Sequence, residues 1–321
     1  MDRRTWMASL AAGAAMLTGS AWAQDWPTQP ITIYVGFPPG GIADAIPRLM
    51  QDRMAAEFGQ PVIVENRPGA AGALMMVAVA EGQADHTLGI ATLQNLILPS
   101  VTANPPYDPR TDHRGISVLA SVPNVLAVHP DVPVESVEEL IAYAKEHPGD
   151  LNWGTAGNAT APHLMQELFN LEAGVDIEHV PYNGIQPAYV DLVAGRIQIM
   201  LGPFGSMRPH LESLRPLAVS TPERNRFIPE LPPMHEASGI PSFTLTEWYA
   251  LVAPSGMSDA VAERISAFVE EFLTGPEFAS LADQRGLTVI GSEGPNDANA
   301  YLMNESERMA AVADQAGVRL D

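Results

Sequence analysis

Strand-like runs alternate with segments of helical period along most of this 321-residue chain, and turns of Gly, Pro and small polar residues separate them. Residues 31–37 (ITIYVGF) are β-branched or aromatic but for Gly36, and Pro38-Pro39-Gly40-Gly41 ends the run. Ile42, Ala45, Ile46, Leu49, Met50 and Met54 then recur at the spacing of one helix face. Short strands are expected at 62–64 and 87–92, with a buried helix of small apolar residues at 69–80 between them. This βαβαβ order predicts an α/β fold whose mostly parallel sheet carries helices on both faces. The rhythm restarts at 124–128 (NVLAV), followed by a helix through Val137, Leu140, Ile141 and Ala144 that His147-Pro148-Gly149 ends. Strands at 151–154, 177–180, 197–201, 216–219 and 249–253 come next, with a helix at 160–171 among them. An amphipathic helix through Val261, Ile265, Phe268 and Phe272 follows. Two units of one plan imply two lobes facing each other across a cleft. Crossings are expected near Pro123 and Val252, so lobe 1 takes residues 24–122 and 253–321 and lobe 2 takes 123–252.

The first 23 residues read as an export signal. Arg3 and Arg4 precede an apolar run, and Ala21-Trp22-Ala23 is the small-x-small pattern after which a signal peptidase cuts. The expected location is the periplasm, with cleavage near Ala23. Arg3-Arg4 also faintly resembles a twin-arginine signal. No cysteine is present, so the core holds the fold without disulfides and a thiolate metal site is excluded. The eight histidines form no HxxxH or HExxH pair, so no metal and no cofactor are expected. A formal charge of −21 repels nucleic acid and anionic membrane. It also offers no long-range attraction to an anion, so an acid would have to be held by local groups. Lys145 is the only lysine, a poor candidate for Schiff-base catalysis.

Two loops carry the chemistry. Phe37-Pro38-Pro39-Gly40-Gly41-Ile42-Ala43-Asp44 runs from a strand into a helix, where glycines permit close backbone approach and free N–H groups favour an anion. Thr155-Ala156-Gly157-Asn158-Ala159-Thr160 does the same in the second unit, with His163 in the first turn of its helix. Each loop alone reads equally as an ordinary turn or cap. Together they fall at equivalent places in two α/β units. If the lobes face each other, one carboxylate can be pinched between two sets of N–H groups, with no need of Arg or Lys.

Longer stretches carry a resemblance. GFPPGGIAD (36–44), GQPVIVENRPGAAG (59–72), ELIAYAKEHPGDLNWGTAGNAT (139–160), HVPYNG (179–184), DLVAGRIQIM (191–200) and WYALVAPSGM (248–257) make the chain similar to the substrate-binding component of tripartite tricarboxylate transporters, the Bug family. The resemblance spans essentially everything after residue 23. It implies a type II periplasmic-binding-protein fold, two Rossmann-like lobes with a ligand cleft between them. It further implies capture of a small mono- or dicarboxylate for delivery to membrane permease subunits, with the receptor working as a monomer. Pro39, Gly40, Gly41 and Asp44 of one loop, beside Phe37, and Thr155, Ala156, Gly157, Asn158 and Thr160 of the other, beside His163, would grip the carboxylate. Thr92, Asn95, Tyr182, Asn183, Pro203 and Phe204 would line the rest of the pocket.

Departures from the family pattern bear on the ligand. Ala159 stands where a glycine is usual. Leu201-Gly202-Pro203-Phe204 carries no acid where Phe-Asp is common. That removes an acceptor for a ligand amino group, argues against an amino acid, and gives Phe204 to an aromatic or aliphatic distal end. The same fold would also serve as the sensing partner of a membrane kinase. A hydrolase would need a nucleophile, a base and an oxyanion site, and the serines near 206 and 255 lack the G-x-S-x-G frame. The reading is therefore a binding protein with no catalytic residue.

Overall fold

A computed structural model describes residues 26–319, so the proposed export segment lies outside the described residues. In chain order β1 (Ile31–Val35), α1 (Ile42–Phe58), β2 (Val62–Asn66), α2 (Ala73–Ala80), β3 (Thr87–Thr92) and α3 (Leu93–Val101) build the first α/β unit. β4 (His113–Val122) leads through Pro123 into β5 (Asn124–Val128) of the second unit. That unit continues with α4 (Val137–Glu146), β6 (Asn152–Thr155), α5 (Ala161–Ala173), β7 (Glu178–Pro181) and α6 (Ile185–Val193). β8 (Ile199–Pro203), α7 (Phe204–Met207), β9 (Arg215–Val219) and α8 (Met234–Ser238) complete it. β10 (Glu247–Pro254), α9 (Asp259–Leu273), α10 (Pro276–Arg285), β11 (Thr288–Val289) and α11 (Pro295–Ala316) return to the first.

The two sheets have the orders β11-β4-β10-β3-β1-β2 and β7-β6-β8-β5-β9. In each, three strands are parallel: β2, β1 and β3 in one, β7, β6 and β8 in the other. An antiparallel strand then lies beside them, β10 against β3 and β5 against β8. Those two strands are the ones that arrive directly from the opposite lobe, so the sheets are less parallel than the βα rhythm implies. The chain passes from the first sheet to the second at Pro123, between β4 and β5. The second crossing does not fall near Val252, because Glu247–Pro254 pairs along its whole length with β4 of the first sheet. The chain has crossed back before Glu247. The polar start of β10 conceals this, since Thr246 and Glu247 precede the apolar run.

Helices cover both faces of each sheet, which is why the strands read as nearly continuous apolar runs. Ile31, Ile33, Val35 and Leu251 bury one face of the first sheet against Met50 and Met54 of α1 and Ile265, Phe268 and Phe272 of α9. The opposite face joins α2, α3 and α11 to a core that continues into lobe 2 through Trp153 and Phe169. Helix ends follow local chemistry: Gly59 and Gly174 adopt φ of 72° and 63° and terminate α1 and α5, and Ser136 accepts from the Glu139 N–H to start α4. The expected helix at 69–80 is broken. Gly69, Ala70, Ala71 and Gly72 all take positive φ, and α2 begins only at Ala73. A Cβ on Gly72 would lie 2.6 Å from Asn95 Nδ2. That left-handed turn therefore packs directly beneath the first residues of α3. No helix among the described residues is long and apolar enough to cross a membrane.

Gly115 of β4 tests the packing of α11. A Cβ there would meet backbone atoms of Ala298 and Asn299 at 2.7–2.9 Å, and backbone cannot yield as a flexible side chain does. Gly115→Ala is expected to lower unfolding stability by roughly 1–3 kcal/mol, the usual cost of overpacking, in chemical denaturation. An unchanged midpoint would show that α11 does not press on this strand.

Candidate functional site

The carboxyl ends of β1, β3, β6, β7 and β8 all open toward the space between the lobes, and helix N-termini follow them. A cavity of about 270 Å³ sits there, lined from both lobes. Lobe 1 contributes Phe37, Gly41, Ile42, Ala43 and residues 92–94; lobe 2 contributes Ala156, residues 160–162, Ile185 and Pro203. The start of β10 closes it with Glu247, Trp248 and Tyr249. Neither Gly41 nor Thr160, the N-caps of α1 and α5, makes a side-chain capping bond to its helix. The first N–H groups of the two helices are therefore left for another acceptor, at the positive ends of two helix dipoles. Among the described residues no Arg, Lys or His lines the cavity.

The structure divides the expected site residues into those that face this space and those that hold them there. Phe37, Gly41, Thr92, Ala156, Thr160 and Pro203 line it. Pro39 and Gly40 lie at the exposed edge of the first loop, where Gly40 takes φ 95°. Asp44 turns inward and is 3% exposed. Its carboxylate accepts from Gly40 N (2.9 Å), Arg48 Nε (2.9 Å) and Asn66 Nδ2 (2.8 Å). Burial pushes its pKa up, but the bonds from Gly40, Asn66 and Arg48 outweigh burial and hold it below the usual carboxylate range. Asn66 also donates to Phe37 O (3.0 Å), so one carboxylate ties the loop, α1 and β2 together. Asp44 thus shapes the loop from behind.

Asn95 is likewise a brace. Fully buried, it accepts from the Thr92 N–H at 2.9 Å and donates to Ala71 O at 3.4 Å, linking the start of α3 to the left-handed turn at 69–72. In the second loop Thr155 is fully buried, with its hydroxyl 2.7 Å from His179 Nε2 and accepting from Gly157 N at 3.3 Å. Thr160 Oγ1 donates to Gly157 O at 2.8 Å. Gly157 takes φ 136° and Ala159 φ 55°, the backbone region where the glycine usual in related sequences would sit without strain. Asn158 and Asn183 are exposed, and Tyr182 spends its hydroxyl on Asp191 (2.9 Å).

His163 accepts from Ala159 N at 3.0 Å through Nδ1 and stacks on His179 with ring centroids 4.0 Å apart. Burial, and then the neighbouring His163, lower the pKa of His179 to about 4, so it is neutral at pH 7. His163, Glu167 and His179 offer ligating atoms within 4.8 Å of one another. Yet Nδ1 of a neutral His163 holds no proton while it accepts from Ala159, so Nε2 carries the proton and faces Glu167. The donor set suits a loop brace, not a metal.

Phe204 departs most from expectation. It begins α7, is 4% exposed, and stacks on Phe227 with centroids 5.8 Å apart in the lobe 2 core. Its N–H donates to Pro123 O at the crossing. β8 ends at Pro203, and the turn into α7 swings the next side chain away from the cavity, so Phe204 does not form a distal wall.

Glu247 is a cavity-lining residue that sequence reasoning missed. It alternates with buried Trp248, so Glu247 and Tyr249 share a face. Burial pushes its pKa up to about 7, and nearby Asn124 offsets this only in part. Asn124 is itself fully buried, and neither of its side-chain polar atoms has a partner in full hydrogen-bond geometry. The available signal was an acid immediately ahead of a Trp-Tyr-led apolar strand, with no basic residue nearby in sequence.

Comparison with known proteins agrees with this geometry. The pattern of the tripartite tricarboxylate transporter family receptor matches residues 46–318. BugT of Bordetella pertussis is 30% identical over 93% of this chain and 92% of its own. A Rhodopseudomonas palustris protein solved with adipate is 33% identical, covers 92% of this chain and 99% of its own, and superposes with a TM-score of 0.78. MatC from the same organism, solved with bound malate, is 26% identical over 91% and 100% of the two chains, with a TM-score of 0.74.

The Asp44 network predicts a pH signature. Its depressed pKa contributes stability that is present above the ordinary carboxylate value and is lost as pH falls through the folded-state value. Asp44→Asn should cost about 1–3 kcal/mol at pH 7. The gap to wild type should close progressively below about pH 4, as read by urea denaturation across pH. A gap independent of pH would remove the carboxylate from the account of the loop. The two lobes, their cleft and these matches place the chain in the tripartite tricarboxylate transporter receptor (Bug) family of solute-binding receptors, which are not enzymes.

Proposed function

We propose that the protein is a periplasmic receptor that closes its lobes on a small organic acid and delivers it to the permease of a tripartite transporter. The observation that carries this reading is the pair of uncapped helix N-termini, α1 and α5, facing one cavity from opposite lobes. One carboxylate there accepts from both helices, so it binds the closed form more tightly than either lobe alone and draws the lobes together. Apolar groups such as Phe37, Ile42 and Ile185 then take the carbon skeleton. The relatives solved with adipate and malate support an acid as the ligand class.

A thermal-unfolding panel tests it. An acid held at 100 times its dissociation constant should add about 2.7 kcal/mol, while neutral sugars and amines without a carboxylate should not. Ala156→Trp, which fills the cavity from the second loop, should weaken the best acid at least a hundredfold and leave the midpoint of the free protein within a few degrees. Stabilisation by sugars alone, or full affinity in the Trp variant, would contradict the proposal.

A further inference from the structure

Apart from the two loops, the cavity holds one group of strong chemical character, the Glu247 carboxyl. The groups facing it are few. Tyr249 on its own strand and Tyr189 on α6 lie within electrostatic reach, and burial pushes both phenols well above their ordinary range, so both stay neutral. Asn124 on β5 brings an amide with no other partner. Opposite Glu247 in the sheet is Val122. α2 and α3, which pack on β10, carry no ionisable residue. On the reverse face Glu305 is taken up by Arg308 and the Trp248 indole N–H. Among the described residues no cation pairs with Glu247.

A ligand held by one carboxylate in the loops brings its far end into this cation-free enclosure. A second carboxylate there would stand against an acid with nothing to neutralise either, so it must bring a proton or be refused. An ammonium would meet the Glu247 carboxylate as a charge-assisted acceptor, with Tyr249 beside it in the lining. The acid lacking after β8, whose absence argued against a ligand amine, is supplied from β10 instead. We propose that Glu247 is the specificity-determining residue of the cavity, and that it selects ligands with one carboxylate and a hydrogen-bond-donating far end, an ammonium above all, over α,ω-dicarboxylates. This rests on the carboxylate reading of the loops.

Three acids of similar length separate the possibilities: adipate, 6-aminohexanoate and hexanoate, titrated calorimetrically into the full mature protein at pH 6 and pH 8. At pH 8, 6-aminohexanoate should bind at least tenfold more tightly than adipate. Adipate should weaken close to tenfold per pH unit above pH 7 and take up about one proton, read on wild type from two buffers of different ionisation enthalpy. Glu247→Gln should bring the two ligands within about threefold of each other and abolish the pH slope for adipate. Since it removes a carboxyl whose pKa is raised on folding, and which therefore costs stability as pH rises from about 4.5 through 7, the variant should also melt higher than wild type at pH 8. Equal binding of adipate and 6-aminohexanoate by wild type, or unchanged selectivity in Glu247→Gln, overturns the assignment. If hexanoate binds and the ammonium confers no advantage, Glu247 alone is misassigned. If none of the three binds, the carboxylate reading falls and this inference falls with it.

Discussion

Each sheet is completed by a strand that arrives directly from the other lobe, and the rest of the architecture depends on that exchange. β5 enters the second sheet one residue after β4 leaves the first, and β10 enters the first after β9 and α8. Both lie antiparallel beside the third parallel strand of their sheet, β8 and β3. The lobes are thus joined by two backbone crossings at the base of the cleft, while the loops at the carboxyl ends of the parallel strands form its walls. On the proposed reading, closure is a rotation about these crossings that brings the loop walls together. The first residues of the two exchanged strands are Asn124 and Glu247. A buried amide without a well-formed hydrogen bond and a half-buried carboxyl of raised pKa at the joint are costly for folding.

The walls work by a different principle. In a chain of net charge −21, with no basic residue among the described residues lining the cavity, the proposed attraction for an anion would come from backbone dipoles. Those dipoles are useful only if the turns leading into the helices are rigid. Rigidity comes from behind: Asp44 and Asn66 under the first loop, Asn95 and the turn at 69–72 under α3, and Thr155 with the His163–His179 stack under the second loop. Ala159 at positive φ shows that the second loop keeps its conformation even without the glycine that would make it easy.

Local periodicity made the layer structure legible, because buried strands between helices are apolar on both faces. That the two loops would line one cavity was legible too, since they fall at equivalent places in two α/β units. What a single sequence does not carry is the direction of each side chain within a loop. Asp44, Asn95 and Thr155 have the chemistry of ligand contacts, yet their partners lie 22 to 24 residues away and turn them into braces. Phe204 sits one residue beyond a cavity residue but on the far side of a turn. Glu247 escaped notice because its place in the cavity comes from pairing with Val122, far off in sequence, not from any local motif. The break at Gly69–Gly72 was hidden by composition, as Ala70 and Ala71 favour a right-handed helix that packing against Asn95 overrides.

The most direct test of the central claim is a crystal structure of the protein with the acid that stabilises it most. The account predicts one carboxylate in the cleft, its oxygens about 2.7–3.2 Å from N–H groups of the first turns of both α1 and α5. A carboxylate held by one lobe alone, or an acid bound outside the cavity, would contradict it.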